Sequence, residues 1–133
     1  MTEKKNFSHL NEEGRARMVD VSEKLPTSRE AVARASVKMK LKTLEAIKAG
    51  VVKKGDVLAV AQVAGVMAAK KTSELIPMCH PLQITNVKIN FDYKDKGRID
   101  IESVVKTIDR TGVEMEALVA ASVAALTIYD MCK

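Results

Sequence analysis

Polarity along the chain changes period several times, and each change marks a boundary. Residues 1–17 are polar without any period, which predicts a mobile N-terminal arm that includes His9. Met18-Val19-Asp20-Val21-Ser22 alternates and sets Asp20 on the face opposite Val19 and Val21. Residues 31–39 alternate again and predict a strand. Ala31, Ala33, Ala35, Val37 and Met39 share one face, and Val32, Arg34, Ser36 and Lys38 share the other. Residues 43–49 predict a short helix with Leu44 and Ile47 inward and Gly50 as its C-cap. Lys53-Lys54-Gly55-Asp56 is a turn, with Asp56 placed to cap a long helix over 57–75. Leu58, Ala61, Gly65, Ala68 and Ala69 give that helix a small-residue stripe suited to close packing.

Leu75-Ile76-Pro77-Met78-Cys79-His80-Pro81-Leu82 follows. The two prolines restrict themselves and the residues before them, so Met78, Cys79 and His80 are expected to be extended between helix and strand. Ile84, Val87, Ile89, Phe91 and Tyr93 then keep period 2 apart from a slip near Thr85-Asn86, where a bulge is expected. Lys94-Asp95-Lys96-Gly97 is the turn of a hairpin whose return strand runs to about Thr107. A second long helix is predicted over 113–131, with Leu118, Val119, Ser122, Ala125, Leu126 and Tyr129 recurring at helical spacing. This order predicts one α+β domain over 18–133: a ferredoxin-like antiparallel sheet with two long helices on one face. The last strand of that arrangement would lie beyond Lys133.

Composition narrows the picture. Of 133 residues, 47% are hydrophobic and none is Trp, so the core must be built from aliphatic side chains and Ala. Such a core offers little apolar area per residue, and burial completed by oligomerisation is expected. The net charge of +5 favours an anionic partner, but the basic residues are scattered rather than gathered in a nucleic-acid stripe. With two Cys and two His, a four-ligand metal site would need every candidate at once, and none is expected. The polar N-terminus lacks a signal-peptide core, Lys70 and Lys71 interrupt the long Ala/Val run, and free thiols fit the cytoplasm.

Chemistry-bearing residues occur in several places. Lys53-Lys54-Gly55 puts ammonium groups at a helix entrance, where phosphate binds well. Glu114 and Glu116 begin the second long helix. They should project to different sides, so that if one faces a pocket the other makes a structural contact. Asp130 and Lys133 are i, i+3 and share a face, either as a surface ion pair or as an acid/base couple. Asp20 and Arg29 flank the start of the first strand and read locally as surface residues.

As a set, these segments resemble the cyclic pyranopterin monophosphate synthase family, the C protein of molybdenum cofactor biosynthesis. The similarity runs through Met18-Val19-Asp20-Val21-Ser22, Lys54-Gly55-Asp56-Val57, Ala64-Gly65-Val66-Met67-Ala68-Ala69-Lys70, the Pro-bracketed octapeptide, Thr111-Gly112-Val113-Glu114-Met115-Glu116-Ala117-Leu118 and Tyr129-Asp130-Met131-Cys132-Lys133. The resemblance implies a lyase that converts a cyclised dihydro-GTP into cyclic pyranopterin monophosphate with loss of pyrophosphate, and it implies no redox cofactor. By that analogy Asp130 is the catalytic acid/base, with Lys133 and Lys54 as catalytic lysines. Met78, Cys79, His80, Met115 and Glu116 line the substrate pocket; Glu114, Arg29 and Asp20 contact or position. It further implies a homohexamer, a trimer of dimers with active sites at the dimer interface, so that Lys54 and Asp130 of one site can come from different chains. Family members continue past the Asp-Met-Cys-Lys motif with a further strand and a Gly-rich tail. The rival reading is a non-catalytic ferredoxin-like module for nucleotide or RNA, whose RNA-binding version would need Phe91 and Tyr93 exposed on the sheet for base stacking.

Overall fold

A computed structural model of the chain describes residues 7–133. The elements run β1 (Thr27–Lys38), α1 (Leu41–Ala49), α2 (Val57–Lys70), α3 (Thr72–Leu75), β2 (Ile84–Lys94), β3 (Arg98–Asp109) and α4 (Glu114–Cys132). The strands form one antiparallel sheet in the order β1-β3-β2, and α2 and α4 pack on one face of it, as the α+β ferredoxin-like reading requires. The outer edge of β1 carries no partner strand among the described residues. Residues 1–6 of the expected arm lie outside the described residues. From Phe7 the segment is a small exposed hairpin with a bridge between Leu10 and Ala16.

Local chemistry explains most boundaries. Gly50 ends α1 in the left-handed region at φ 69° and donates its N–H to Ile47. The Asp56 carboxylate accepts the Ala59 N–H at 3.1 Å and opens α2. Lys96 and Gly97 take positive φ in the hairpin turn, and the register slips between Ile84 and Asn86 where the bulge was expected. β1 begins at Thr27 rather than residue 31, because Thr27 to Glu30 still find partners from Asp109 to Lys106. The first long helix is shorter than its pattern suggests. It stops at Lys70, the Thr72 hydroxyl donates back to the Ala68 carbonyl at 3.1 Å, and α3 adds one separate turn.

Which faces are buried is less intuitive. The core side of α4 is Ala117, Ala120, Ala121, Ala124, Ile128 and Met131. The larger residues recurring at helical spacing, Leu118, Leu126 and Tyr129, face outward at 48, 66 and 66% exposure. Ala faces let α4 settle against Ala33 and Val105 of the sheet, where bulkier side chains would hold it off. By length and composition α4 could also cross a bilayer, but its Ala face is a core face here. Phe91 packs against the main core beneath the helices, and Tyr93 lies on the same side with Lys48 over its ring at 5.0 Å. The aromatic pair is therefore no stacking platform. The open sheet face carries instead Arg34 paired with Glu102 at 3.0 Å and Ser36 bonded to Asp100 at 2.8 Å.

Gly65 marks a close approach of α2 to its neighbours. A Cβ there would run into Ile89 and stand 3.0 Å from the Ala120 carbonyl oxygen. Gly65→Ala is expected to cost about 1–3 kcal/mol through overpacking, despite the better helix propensity of Ala. Denaturant unfolding checks this; an unchanged midpoint would show that the two helices can separate freely.

Candidate active site

α2 and α4 run antiparallel, so each end of the pair brings different loops together. At one end the C-terminal turn of α4 meets the turn before α2. Gly55 holds that turn at φ 116°, and Lys54 reaches across to α4. Its Nζ donates to the Asp130 carbonyl oxygen at 2.7 Å and lies 3.6 Å from Asp130 Oδ1. Lys133 Nζ approaches the same Oδ1 at 3.2 Å. One carboxylate thus holds two ammonium groups from segments far apart in sequence. The bond from Lys133, and then the Lys54 charge, hold the Asp130 carboxyl below the usual carboxylate range, so it is ionised at neutral pH. All three side chains stay about half exposed, and Lys133 also lines a cleft of about 330 Å³ with Met39, Thr43 and Tyr129. The expectation that Lys54 and Asp130 come from different chains is corrected: they meet within one chain.

At the other end lie the Pro-bracketed segment and the start of α4. The segment is not extended throughout. Cys79 N–H donates to the Ile76 carbonyl at 3.1 Å, closing a turn with Pro77 at its second position, a place proline favours. That bond also takes one of the backbone donors that an extended strip would have offered a substrate. Met78, Cys79 and His80 line a cleft of about 110 Å³ with Glu114, Met115 and Glu116. Both glutamates face it, contrary to the helical-wheel argument. Glu114 is the first residue of α4, and its carboxylate folds back over Gly112, where a Cβ would collide with it.

Glu116 is buried at 4% exposure. Burial first, then the Glu114 charge, push its carboxyl above the ordinary glutamate value. Burial likewise raises the Cys79 thiol, with the Glu116 charge adding to it, so Cys79 stays a neutral thiol rather than a nucleophile. The fold should therefore bind a proton at Glu116 more readily than the unfolded chain, whose glutamates titrate near about 4.3. Stability is then lost as pH rises from that value through the raised folded one. Glu116→Gln cannot ionise and is expected to unfold at a higher temperature than the parent at neutral pH, the gap closing below about pH 4. Thermal melts of both chains across this range test it; parallel curves would show no such burial penalty.

The remaining candidates are Asp20 and Arg29. Asp20 lies in an irregular stretch, accepts the Ser22 N–H at 2.9 Å, and is held below the usual carboxylate range chiefly by its bonds to Ser22. The charge of His80 adds to that lowering, which places Asp20 on the His80 side. Arg29 lies on β1 opposite Thr107, and its buried Nε has no hydrogen-bond partner among the described residues. Sequence reasoning missed Leu82, Thr111 and Gly112 of the cleft, and His9 as well. It also missed Asp109, which accepts the Gln83 N–H at 3.0 Å while the Thr107 hydroxyl donates to the Gln83 carbonyl. These two bonds grip the peptide just beyond Pro81. A polar residue ending a strand before a Gly-containing turn was the available signal.

The two groups do not meet within the chain. Glu116 and Asp130 are separated by about 21 Å of α4 at 1.5 Å rise per residue. A larger cleft of about 370 Å³ on the open sheet face, around Arg34 and Glu102, holds none of the candidates.

A family model described as the MoaC family matches residues 18–133. A relative from Thermoanaerobacter pseudethanolicus, named cyclic pyranopterin monophosphate synthase, is 66% identical over 129 residues, covering 96% of this chain and 82% of its own. One of the same name from Desulfitobacterium hafniense is 65% identical over 127 residues, with 96% and 78% covered. Another, from Listeria monocytogenes, is 60% identical over 131 residues, with 98% and 82% covered. The matched span contains both residue groups and the helix pair that holds them: the chain belongs to the MoaC family.

Proposed function

We propose that this chain is a cyclic pyranopterin monophosphate synthase, a lyase of molybdenum cofactor biosynthesis that acts on a cyclised dihydro-GTP and releases pyrophosphate. The observation that carries the reading is the Lys54–Asp130–Lys133 cluster, two ammonium groups on one ionised carboxylate, with Lys133 on the wall of an open cleft. Ring opening and reclosure need a group that takes and returns a proton. An ionised Asp130 can accept one, and the adjacent ammonium groups can supply one. Loss of pyrophosphate builds negative charge on the leaving group, which Lys54, Lys133 and Arg29 are suited to balance.

Met78, Cys79, His80, Met115 and Glu116, with Glu114 and Asp20, form the second part of the site in this reading. A cleft of about 110 Å³ is smaller than the 300 to 1,000 Å³ typical of ligand pockets, so one chain offers only part of the substrate's surroundings. A homo-oligomer, a trimer of dimers with sites at the dimer interface, would bring the Asp130 end of one protomer to the His80 end of its partner. The exposed Val60, Val63, Met67, Leu118, Leu126 and Tyr129 on the outer helix faces support such burial. We place the protein in the cytoplasm, the compartment that suits its free thiols. The direct test is incubation with the cyclised dihydro-GTP, following pyrophosphate and the pterin product. Formation of both supports the reading, and a folded chain that makes neither overturns it.

A further inference from the structure

We propose that His9 is a second imidazole of the active site, presented to the substrate by the N-terminal hairpin, with Nε2, which has no partner among the described residues, as the proton acceptor. The proposal rests on the synthase reading and adds a residue to that site.

The hairpin is built to hold one geometry. Asn11 Oδ1 accepts the N–H groups of Glu13 at 3.0 Å and Arg15 at 2.9 Å. Asn11 N–H donates to the Arg15 carbonyl at 2.9 Å, and Gly14, at φ 77°, donates to Asn11 at 3.0 Å. Arg17 N–H donates to the His9 carbonyl at 2.7 Å, and Arg17 Nε donates to Ser8 at 3.2 Å. These bonds lay His9 on the rim of the cleft that contains His80, Cys79, Glu114 and Glu116.

The tautomer follows from the same network. His9 Nδ1 lies 3.2 Å from the Arg17 carbonyl oxygen. A carbonyl only accepts, so Nδ1 carries the hydrogen, and the neutral ring keeps its lone pair on Nε2. The charged and titratable groups around it are Cys79, His80, Glu114 and Glu116 across the cleft and Arg17 on its own hairpin. In the step assigned here, a proton leaves a substrate N–H or O–H for Nε2. The bonding pair stays on the substrate and the ring becomes imidazolium, so no further reactant is needed.

His9→Asn separates this role from simple support of the hairpin. Its amide N–H can replace the Nδ1–H bond to Arg17, while nothing replaces Nε2. Turnover is expected to fall on the order of a hundredfold with KM little changed, and with the low-pH limb of the rate profile altered. A variant within about twofold of the parent at every pH overturns the proposal. The parent gives an independent reading, because His9 and His80 are its only histidines and contribute just two sets of imidazole signals. Addition of GTP as probe should shift the Nε2 resonance of His9. If GTP moves the His80 signals and leaves those of His9 in place, the proposal falls, whatever the variant does. Failure of the parent to form product would count against the synthase reading instead.

Discussion

Asp130→Asn is expected to lower turnover by about two to four orders of magnitude while leaving the fold and substrate binding close to those of the parent. The substitution keeps shape and removes charge. It leaves the Lys54 and Lys133 ammonium groups around a neutral amide that can neither accept a proton as a base nor hold them by charge. Lys54 retains its 2.7 Å bond to the Asp130 carbonyl oxygen, so the turn before α2 should not move. The three side chains are largely exposed, and exposed ion pairs add little to stability, so thermal unfolding should be nearly unchanged. Pyrophosphate release under saturating substrate measures the effect. Turnover equal to that of the parent would remove Asp130 from the chemistry and leave the cluster an electrostatic clamp.

Two inactive variants should restore each other. If the Asp130 end and the His80 end of one site come from different protomers, Asp130→Asn and His80→Ala each disable every site in their own assemblies. Mixed assemblies formed by co-expression or joint refolding then contain some sites with both ends intact. For random mixing across a two-fold interface, about a quarter of all sites are whole, and activity should recover to that share of the parent. A site confined to one chain predicts no recovery. The distance along α4 makes this test decisive, because no side chain spans the gap from Glu116 to Asp130.

Much of this was legible in the sequence, for physical reasons that also explain the failures. Gly50, Asp56 and the Lys94-to-Gly97 turn mark boundaries through backbone rules that tertiary packing rarely overrides. The β2–β3 alternation survives because one of its faces is covered by helices. The buried face of α4 was not legible, since Ala is ambiguous between surface and core. The Leu118, Leu126 and Tyr129 positions drew attention by size, yet close packing reserves the inside for Ala. The end of α2 was hidden because Lys70 and Lys71 are good helix formers, and only Thr72 turning back to Ala68 shows the break. For the site, resemblance named the residues but could not say which stand together. That Lys54 reaches Asp130, and that Glu114 folds back to share a cleft with Glu116, depends on the pairing of two helices and on a side chain at a helix start.

The Ala-lined contact between α2 and α4 has a consequence for how this protein can change over time. At Gly65 there is no room for even a Cβ against Ile89 and the Ala120 carbonyl, so the closely packed helix pair sets a fixed spacing between two sets of reactive groups. One residue inserted into α4 would turn everything beyond it by about 100° and advance it by about 1.5 Å. Asp130 would then point away from Lys54 with its own chemistry unaltered. Length variation should therefore be confined to loops such as the β2–β3 turn, and the interior of α4 should accept substitutions but neither insertions nor deletions.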